Sequence, residues 1–124
     1  MARVELEADG GRAYGYASDL LVPKWFKKNP ESPPEQDVRD LMASAREAAQ
    51  TWLSAPEGSV FAQWLSVYGA RVTDHASQNP GASDLLVRGF GVALVERAAI
   101  DAACRLTGRD LPTALSDGTL GFDA

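Results

Sequence analysis

The chain has 124 residues, a length typical of one domain, and its 45% hydrophobic and 23% charged residues are ordinary for a globular protein. A net charge of −5 argues against nucleic acid as a partner, because a nucleic-acid-binding face must neutralise phosphates. No apolar run is long enough to span a bilayer, so no membrane partner is expected. The single cysteine, Cys104, permits no internal disulfide and favours a cytoplasmic location.

Residues 1–17 are predicted to form a β-hairpin. Val4 and Leu6 alternate with glutamates, "DGG" at 9–11 supplies residues that tolerate positive φ, and Tyr14 and Tyr16 resume the alternation. Because an isolated two-stranded hairpin is marginal in water, this one needs a further strand or a layer of helices.

Residues 18–34 are predicted to be a loop, although they hold the bulkiest apolar cluster of the chain. That cluster lies among four prolines, which keep the segment extended or turning: Pro23, Pro30, Pro33 and Pro34. The segment also contains the densest basic cluster, with lysines at 24, 27 and 28 beside Trp25 and Phe26. Lysines beside aromatic rings could stack nucleic-acid bases, but three charges in an acidic chain give this reading little support, and a solvated loop is the plainer one.

A helical bundle is predicted for residues 35–117. In the first helix the apolar residues at helical spacing form one stripe that we expect to be buried: Val38, Leu41, Met42, Ala45, Ala49, Trp52 and Leu53. The second helix begins near Ser59, and its expected buried face consists of Phe61, Trp64, Leu65, Tyr68 and Val72. The chain is therefore expected to be an α+β protein, a hairpin followed by three to four helices.

The third helical stretch is expected to be interrupted by "GFG" at 89–91 and to continue from Val92 to a stop at Gly108. "DLPTALSD" at 110–117 predicts one further short helix. Along these helices the carboxylates have the spacing of exposed faces, as in Asp37 with Asp40. Glu96 beside Arg97, and Asp101 four residues before Arg105, are expected to be exposed charge pairs.

The chain contains no complete active site that can be recognised from its residues. His75 is the only histidine and lacks a second metal ligand nearby, so a solvated helix-end histidine is expected. No G-x-S-x-G stretch presents a serine nucleophile. Cys104 lies on an alanine-rich face and is expected to be a buried, inert thiol. Catalytic residues, a metal site and a cofactor are therefore not expected in this chain.

Two stretches resemble the N-terminal capping domain of the enolase superfamily, in its mandelate racemase and muconate lactonizing branch. "VELEADGGRAYGYA" at 4–17 is similar to the second and third strands of that domain. "ALVERAAIDAACRLTGRDLPTAL" at 93–115 is similar to its late helix, through Ala98, Ala99, Ile100, Asp101, Ala103, Gly108, Pro112 and Leu115. The family's first strand has no counterpart here, and "ALSDG" replaces its "LLGG" ending.

The resemblance implies a single capping-type domain over residues 1–124, the lid of a Mg²⁺-dependent racemase, cycloisomerase or dehydratase without its catalytic barrel. In that family the barrel holds Mg²⁺ and the acid and base groups that form an enediolate from a carboxylate substrate. The barrel is the implied partner, and self-association of the free chain is expected because a lid without its barrel leaves a docking face uncovered.

The resemblance also implies a substrate-capping loop formed by Leu21, Pro23, Lys24, Trp25 and Phe26, in which Lys24 would meet an anionic substrate. A loop in that place should lack regular structure and leave Trp25 accessible, whereas simple packing on the bundle would bury Trp25. The alternative function is a stand-alone, non-catalytic α+β module that binds a ligand or a protein through the same loop.

Overall fold

The computed structural model describes residues 1–121 and has the predicted α+β architecture, a two-stranded antiparallel hairpin followed by helices. The strands are β1 (Ala2–Ala8) and β2 (Gly11–Ala17). The helices are α1 (Pro34–Leu53), α2 (Val60–Tyr68), α3 (Asp74–Gln78), α4 (Leu85–Thr107) and α5 (Leu111–Ser116). A π-helical turn, Gly69–Thr73, joins α2 to α3, so these two run on as one helical segment. Within residues 1–121, no helix is both long and apolar enough to cross a membrane.

The hairpin is closed by the predicted two-residue turn, in which Asp9 and Gly10 both have positive φ, 50° and 78°. Ala8 pairs with Gly11, and the register continues without a bulge to the pair Ala2 and Ala17. The inner face of the hairpin rests on α4. There Gly15 packs so closely that a Cβ atom on it would lie 2.8 Å from the Cα of Ala102. A glycine is therefore required at this crossing.

The helix ends follow local sequence signals. Ser59 caps α2 by accepting a hydrogen bond from the N–H of Ala62 at 3.1 Å, and Asp110 caps α5 in the same way through Thr113 at 2.9 Å. Gly108 ends α4 with a φ of 65°, as its position after the last apolar residue predicted.

The predicted interruption at "GFG" is wrong, because α4 runs unbroken through residues 89–91. Gly91 is buried where α4 crosses α1, and its N–H donates to Ser44 Oγ at 3.1 Å. The Ser44 hydroxyl donates in turn to the carbonyl of Val87 at 2.5 Å. The glycine allows two helices to approach rather than ending one of them.

The predicted buried face of the second helix is also largely wrong. Of the predicted face only Val72 is buried, together with Val60 and Val67. Phe61, Leu65 and Tyr68 are exposed, and Trp64 is half-buried. The Trp64 ring stacks between its aromatic neighbours, with centroids 5.7 Å from Phe61 and 5.1 Å from Tyr68. The aromatic residues therefore stack on one another along the helix, and of the three only Trp64 also packs against the core that the valines join.

Two expectations about helix surfaces need correction as well. Met42 and Leu53, both predicted to belong to the buried stripe of α1, are exposed, Leu53 to 87%, while Trp52 is buried. Glu96, expected to be an exposed partner of Arg97, is half-buried, and Arg97 pairs instead with Asp19 at 2.9 Å. The predicted pair of Asp101 and Arg105 is present at 3.1 Å.

Candidate functional site

The candidate site is the apolar loop, defined here as residues 20–26, which follows β2 and precedes α1. Within it the N–H of Trp25 donates to the carbonyl of Val22 at 3.4 Å, closing a turn around Pro23 and Lys24. Lys24 has a φ of 66°, a left-handed conformation that is uncommon for a residue with a side chain. Such a conformation persists only where its surroundings hold it in place.

Side chains of the apolar loop divide between an outer and an inner side. Leu20 is 75% exposed and Trp25 is 68% exposed, and Val22 is also exposed to solvent. Leu21 and Phe26 are half-buried and pack against a core cluster built on α1 and α4. The loop therefore presents an apolar outer surface to solvent while two of its residues fix it to the helices.

Phe26 is the main apolar anchor of the loop. Its ring meets that of Phe90 edge to face, with centroids 5.0 Å apart, and Phe90 is buried in the second turn of α4. Edge-to-face contact is a favoured geometry for aromatic pairs because it brings the positive edge of one ring to the negative face of the other. Replacing Phe26 would therefore loosen the loop, whereas replacing Trp25 would remove only exposed surface.

Asp37, in the first turn of α1, is the polar anchor of the loop and is only 2% exposed. Its carboxylate accepts hydrogen bonds from Ser32 Oγ at 2.7 Å and from the backbone N–H of Lys24 at 3.1 Å. The Lys24 ammonium lies 3.2 Å from the same carboxylate. The Ser32 hydroxyl, followed by Lys24, lowers the pKa of Asp37 below its ordinary value. Asp37 was expected to be a surface carboxylate, and its burial is a correction.

The Lys24 ammonium is turned into the loop rather than towards solvent. Besides Asp37, it donates to the carbonyl of Asn29 at 2.5 Å and to the carbonyl of Ser32. Its three N–H donors therefore have three protein acceptors. In this conformation the charge of Lys24 stabilises the strained turn, so its predicted contact with an anionic substrate would require these bonds to open.

A second ion pair ties the residue that follows the apolar loop to α1. Lys27 Nζ lies 2.7 Å from Asp40 Oδ2, and Gln36 donates to the other carboxylate oxygen at 2.7 Å. The hydrogen bond from Lys27 lowers the pKa of Asp40, and that from Gln36 adds to the effect. Of the three lysines in the predicted basic cluster, two are therefore paired with carboxylates of α1.

Next to the loop lies a half-open cavity of about 780 Å³, bounded by residues 26–29, α1, the start of α4 and Arg71. Most of the charged side chains that line it form ion pairs, since Arg71 contacts Glu47 and Lys27 contacts Asp40. Arg88 donates to the carbonyl of Arg71. The cavity is therefore a polar recess with mixed charge on the inner side of the loop.

The five residues of the predicted capping loop do not form one surface. Trp25 faces solvent, Leu21 and Phe26 face the core, and Pro23 and Lys24 make the turn between them. Leu20 and Val22, which complete the exposed surface, could have been found from their alternation with Leu21. The anchoring role of Asp37 and Ser32 had no signal in the sequence beyond the acidic first turn of α1.

Other reactive groups are scattered. His75 lies 3.0 Å from Asp84 at the far end of the cavity wall. Cys104 is half-buried rather than buried, and burial raises the pKa of its thiol. Burial likewise raises the pKa of Glu96, beside Trp64. Across the described part of the chain, no three His, Cys, Asp or Glu side chains converge in a group that could hold a metal ion.

No family model matches this chain, and neither the curated proteins nor the solved structures contain a significant match.

Proposed function

We propose that this chain is a substrate-capping (lid) domain of an enolase-superfamily, mandelate racemase-like enzyme that acts on carboxylate substrates through an enediolate. The observation that carries the proposal is the exposed Trp25 on a loop that the rest of the domain holds in place. The resemblance of residues 4–17 and 93–115 to the capping domains of that superfamily supports the proposal, and it implies that the surface to be covered is the catalytic barrel. A cytoplasmic location is part of the proposal.

An apolar surface on a fixed loop is suited to covering a reaction chamber. Side chains such as Leu20 and Trp25 gain about 25 cal/mol per Å² when a partner removes them from water. Because Asp37 and Phe90 already order the loop, little conformational freedom is left to lose on docking. Excluding water from the covered chamber would strengthen the electrostatic interactions inside it.

Under this proposal the chain itself carries no acid, base or metal ligand. Mg²⁺ and the groups that remove and return the α-proton would belong to the barrel. This chain would contribute Leu20, Val22 and Trp25 as the covering surface, with Lys24 and Asp37 as positioning residues. The apolar surface would meet the part of the substrate distal to its carboxylate.

The test is to express the whole reading frame from which this chain comes and to measure α-proton exchange of carboxylates in D₂O by NMR. We expect Trp25→Ala to lower turnover and apparent affinity together, since a lid acts on both. The control is Leu65→Ala, an equally apolar and exposed position on α2. If the expressed protein shows no exchange activity, the family assignment is overturned. If Trp25→Ala has normal kinetics, the lid role is overturned.

A stability measurement on the isolated chain separates the outer from the inner side of the loop. Trp25→Ala should change the free energy of unfolding by less than about 0.5 kcal/mol, because Trp25 is exposed. Phe26→Ala should cost about 2 kcal/mol, less than a fully buried phenylalanine, because Phe26 is half-buried against Phe90. Equal losses for the two variants would show that Trp25 packs on the bundle.

The second candidate is a stand-alone α+β module that binds a ligand or a protein through the same loop. It is favoured by the anchors themselves, since Asp37, Ser32 and Phe90 all belong to this chain and hold the loop without a partner. This candidate predicts that the whole reading frame yields no α-proton exchange while the isolated chain unfolds cooperatively. The exchange measurement above therefore distinguishes it from the lid.

A further inference from the structure

The outer edge of β1 carries backbone groups that point away from the protein. In a hairpin closed by a two-residue turn, the closing pair is hydrogen-bonded and the pairs alternate from there. Since Ala8 and Gly11 close this hairpin, the N–H and C=O groups of Arg3, Glu5 and Glu7 point outward from β1. Three consecutive odd-numbered residues thus form an open edge.

The opposite edge of the sheet is satisfied by the protein itself at one of its ends. Tyr16 also belongs to the outward-pointing set, and its N–H donates to Asp101 Oδ2 of α4 at 2.9 Å. Within residues 1–121, the corresponding groups of Arg3, Glu5 and Glu7 have no such partner. An uncovered edge of this kind is a template for pairing with another strand.

The charges on the outer face of β1 are unevenly balanced. Arg12 of β2 lies 2.9 Å from Glu5 and 2.6 Å from Glu7, so one guanidinium serves two carboxylates. Arg3 has no carboxylate partner among the described residues and lies over the ring of Tyr14, 5.3 Å from its centroid. Each hairpin therefore carries an excess negative charge around Glu5 and Glu7 and an unpaired positive charge at Arg3.

We propose that β1 pairs antiparallel with β1 of a second copy of this chain, around a two-fold axis at Val4. In this register Arg3 of each copy lies opposite Glu5 of the other, and both residues have outward-pointing backbone groups. The two pairs exchange about four backbone hydrogen bonds, and the two hairpins form one four-stranded sheet. An axis at Glu5 would pair Arg3 with Glu7 and also use their outward-pointing backbone groups, but it would place two glutamates directly opposite each other at the axis, which is unfavourable.

The helix layer on the inner side of the hairpin is compatible with the same partner. Ala45 and Ala49 of α1 pack against the clusters that the inner residues of β1 also join. Met42 and Leu53 continue this flank of α1 and are exposed, Leu53 almost completely. A two-fold axis perpendicular to the sheet puts the helix layers of both copies on the same side of the sheet. The capping role is independent of this edge, because the apolar loop takes no part in it.

The test is sedimentation equilibrium of the chain at low ionic strength with two charge-reversal variants, Arg3→Glu and Glu5→Arg. The wild type should be a dimer, and each variant alone should dimerise at least tenfold more weakly because like charges then face each other. An equimolar mixture of the two variants should recover the dimer, since both pairs across the axis then join opposite charges. Lys28→Glu, an equal charge change on the exposed loop, should dimerise like the wild type.

A second variant tests the backbone pairing itself. Glu5→Pro removes an N–H that the hairpin does not use, so the far-ultraviolet circular dichroism should be unchanged while the dimer is lost. A wild-type chain that stays monomeric at millimolar concentration overturns the proposal and leaves the edge to a strand of a different protein. Variants that dimerise as well as the wild type, or a mixture that stays monomeric, overturn the register.

Discussion

Gly91 gives the sharpest test of how the two long helices pack. A Cβ atom at this position would lie 2.6 Å from Ser44 Oγ and closer still to the Ser44 carbonyl, whereas ordinary contacts begin at 3.4 Å. In Gly91→Ala, α1 and α4 must therefore separate by roughly 1 Å, an overpacking that costs about 1–3 kcal/mol. The hydrogen bonds of Ser44 with Gly91 and Val87 weaken at the same time, for about 1 kcal/mol more.

Alanine also favours a helix over glycine by about 1 kcal/mol, so the net loss in Gly91→Ala should be about 2 kcal/mol. Gly89 provides a matched control two residues earlier in α4. A Cβ atom on Gly89 meets nothing within 4 Å, so Gly89→Ala should stabilise the protein by about 0.5–1 kcal/mol. Urea unfolding followed by circular dichroism measures both. Equal effects of one sign would refute the close crossing and favour a helix that is broken at both glycines.

Two further predictions concern ionisable groups. The pKa of Asp37 is lowered in the folded protein, so its anchoring of the loop is complete above the ordinary value of 3.8 and is lost as the pH falls through the lower folded value. The ¹³Cγ shift of Asp37 should titrate below pH 3.8 together with the Lys24 amide, and a midpoint at or above that value would contradict the anchor. Burial raises the pKa of Cys104, so the thiol should react with a disulfide reagent at pH 8 more slowly than free cysteine does. If Cys104 of the folded protein reacts as fast as free cysteine, this prediction is contradicted.

Local sequence signals predicted the hairpin turn and several helix ends correctly. The "DG" turn, the serine before α2 and Gly108 after α4 act within a few residues, so their structural consequences can be derived from the residues nearby. The irregular conformation of the loop could be predicted for the same reason, because each proline restricts its own φ and the residue before it.

Contacts between distant residues could not be derived in this way. A glycine inside a helix and a glycine that ends one look alike in sequence, and the difference at Gly91 is made by Ser44, 47 residues away. Asp37 meets Lys24 across 13 residues only because the loop turns back at Pro23. Similarly, the aromatic residues of α2 fit a buried stripe by spacing alone. The rings, however, stack on one another, and the buried positions are taken by valines.

The position of Gly91 also explains why an irregular segment carries so many apolar side chains. Where α1 and α4 cross at Gly91 and Ser44, the helices are too close to admit a large side chain between them. Phe90, next to this crossing, is covered instead by Phe26 from the loop. Phe26 thus completes the core from outside the helices, and the turn that brings it there leaves Trp25 on the opposite side, exposed. The packing of Phe26 on the core and the exposure of Trp25 therefore follow from a single turn, which the ion pair of Lys24 and Asp37 stabilises.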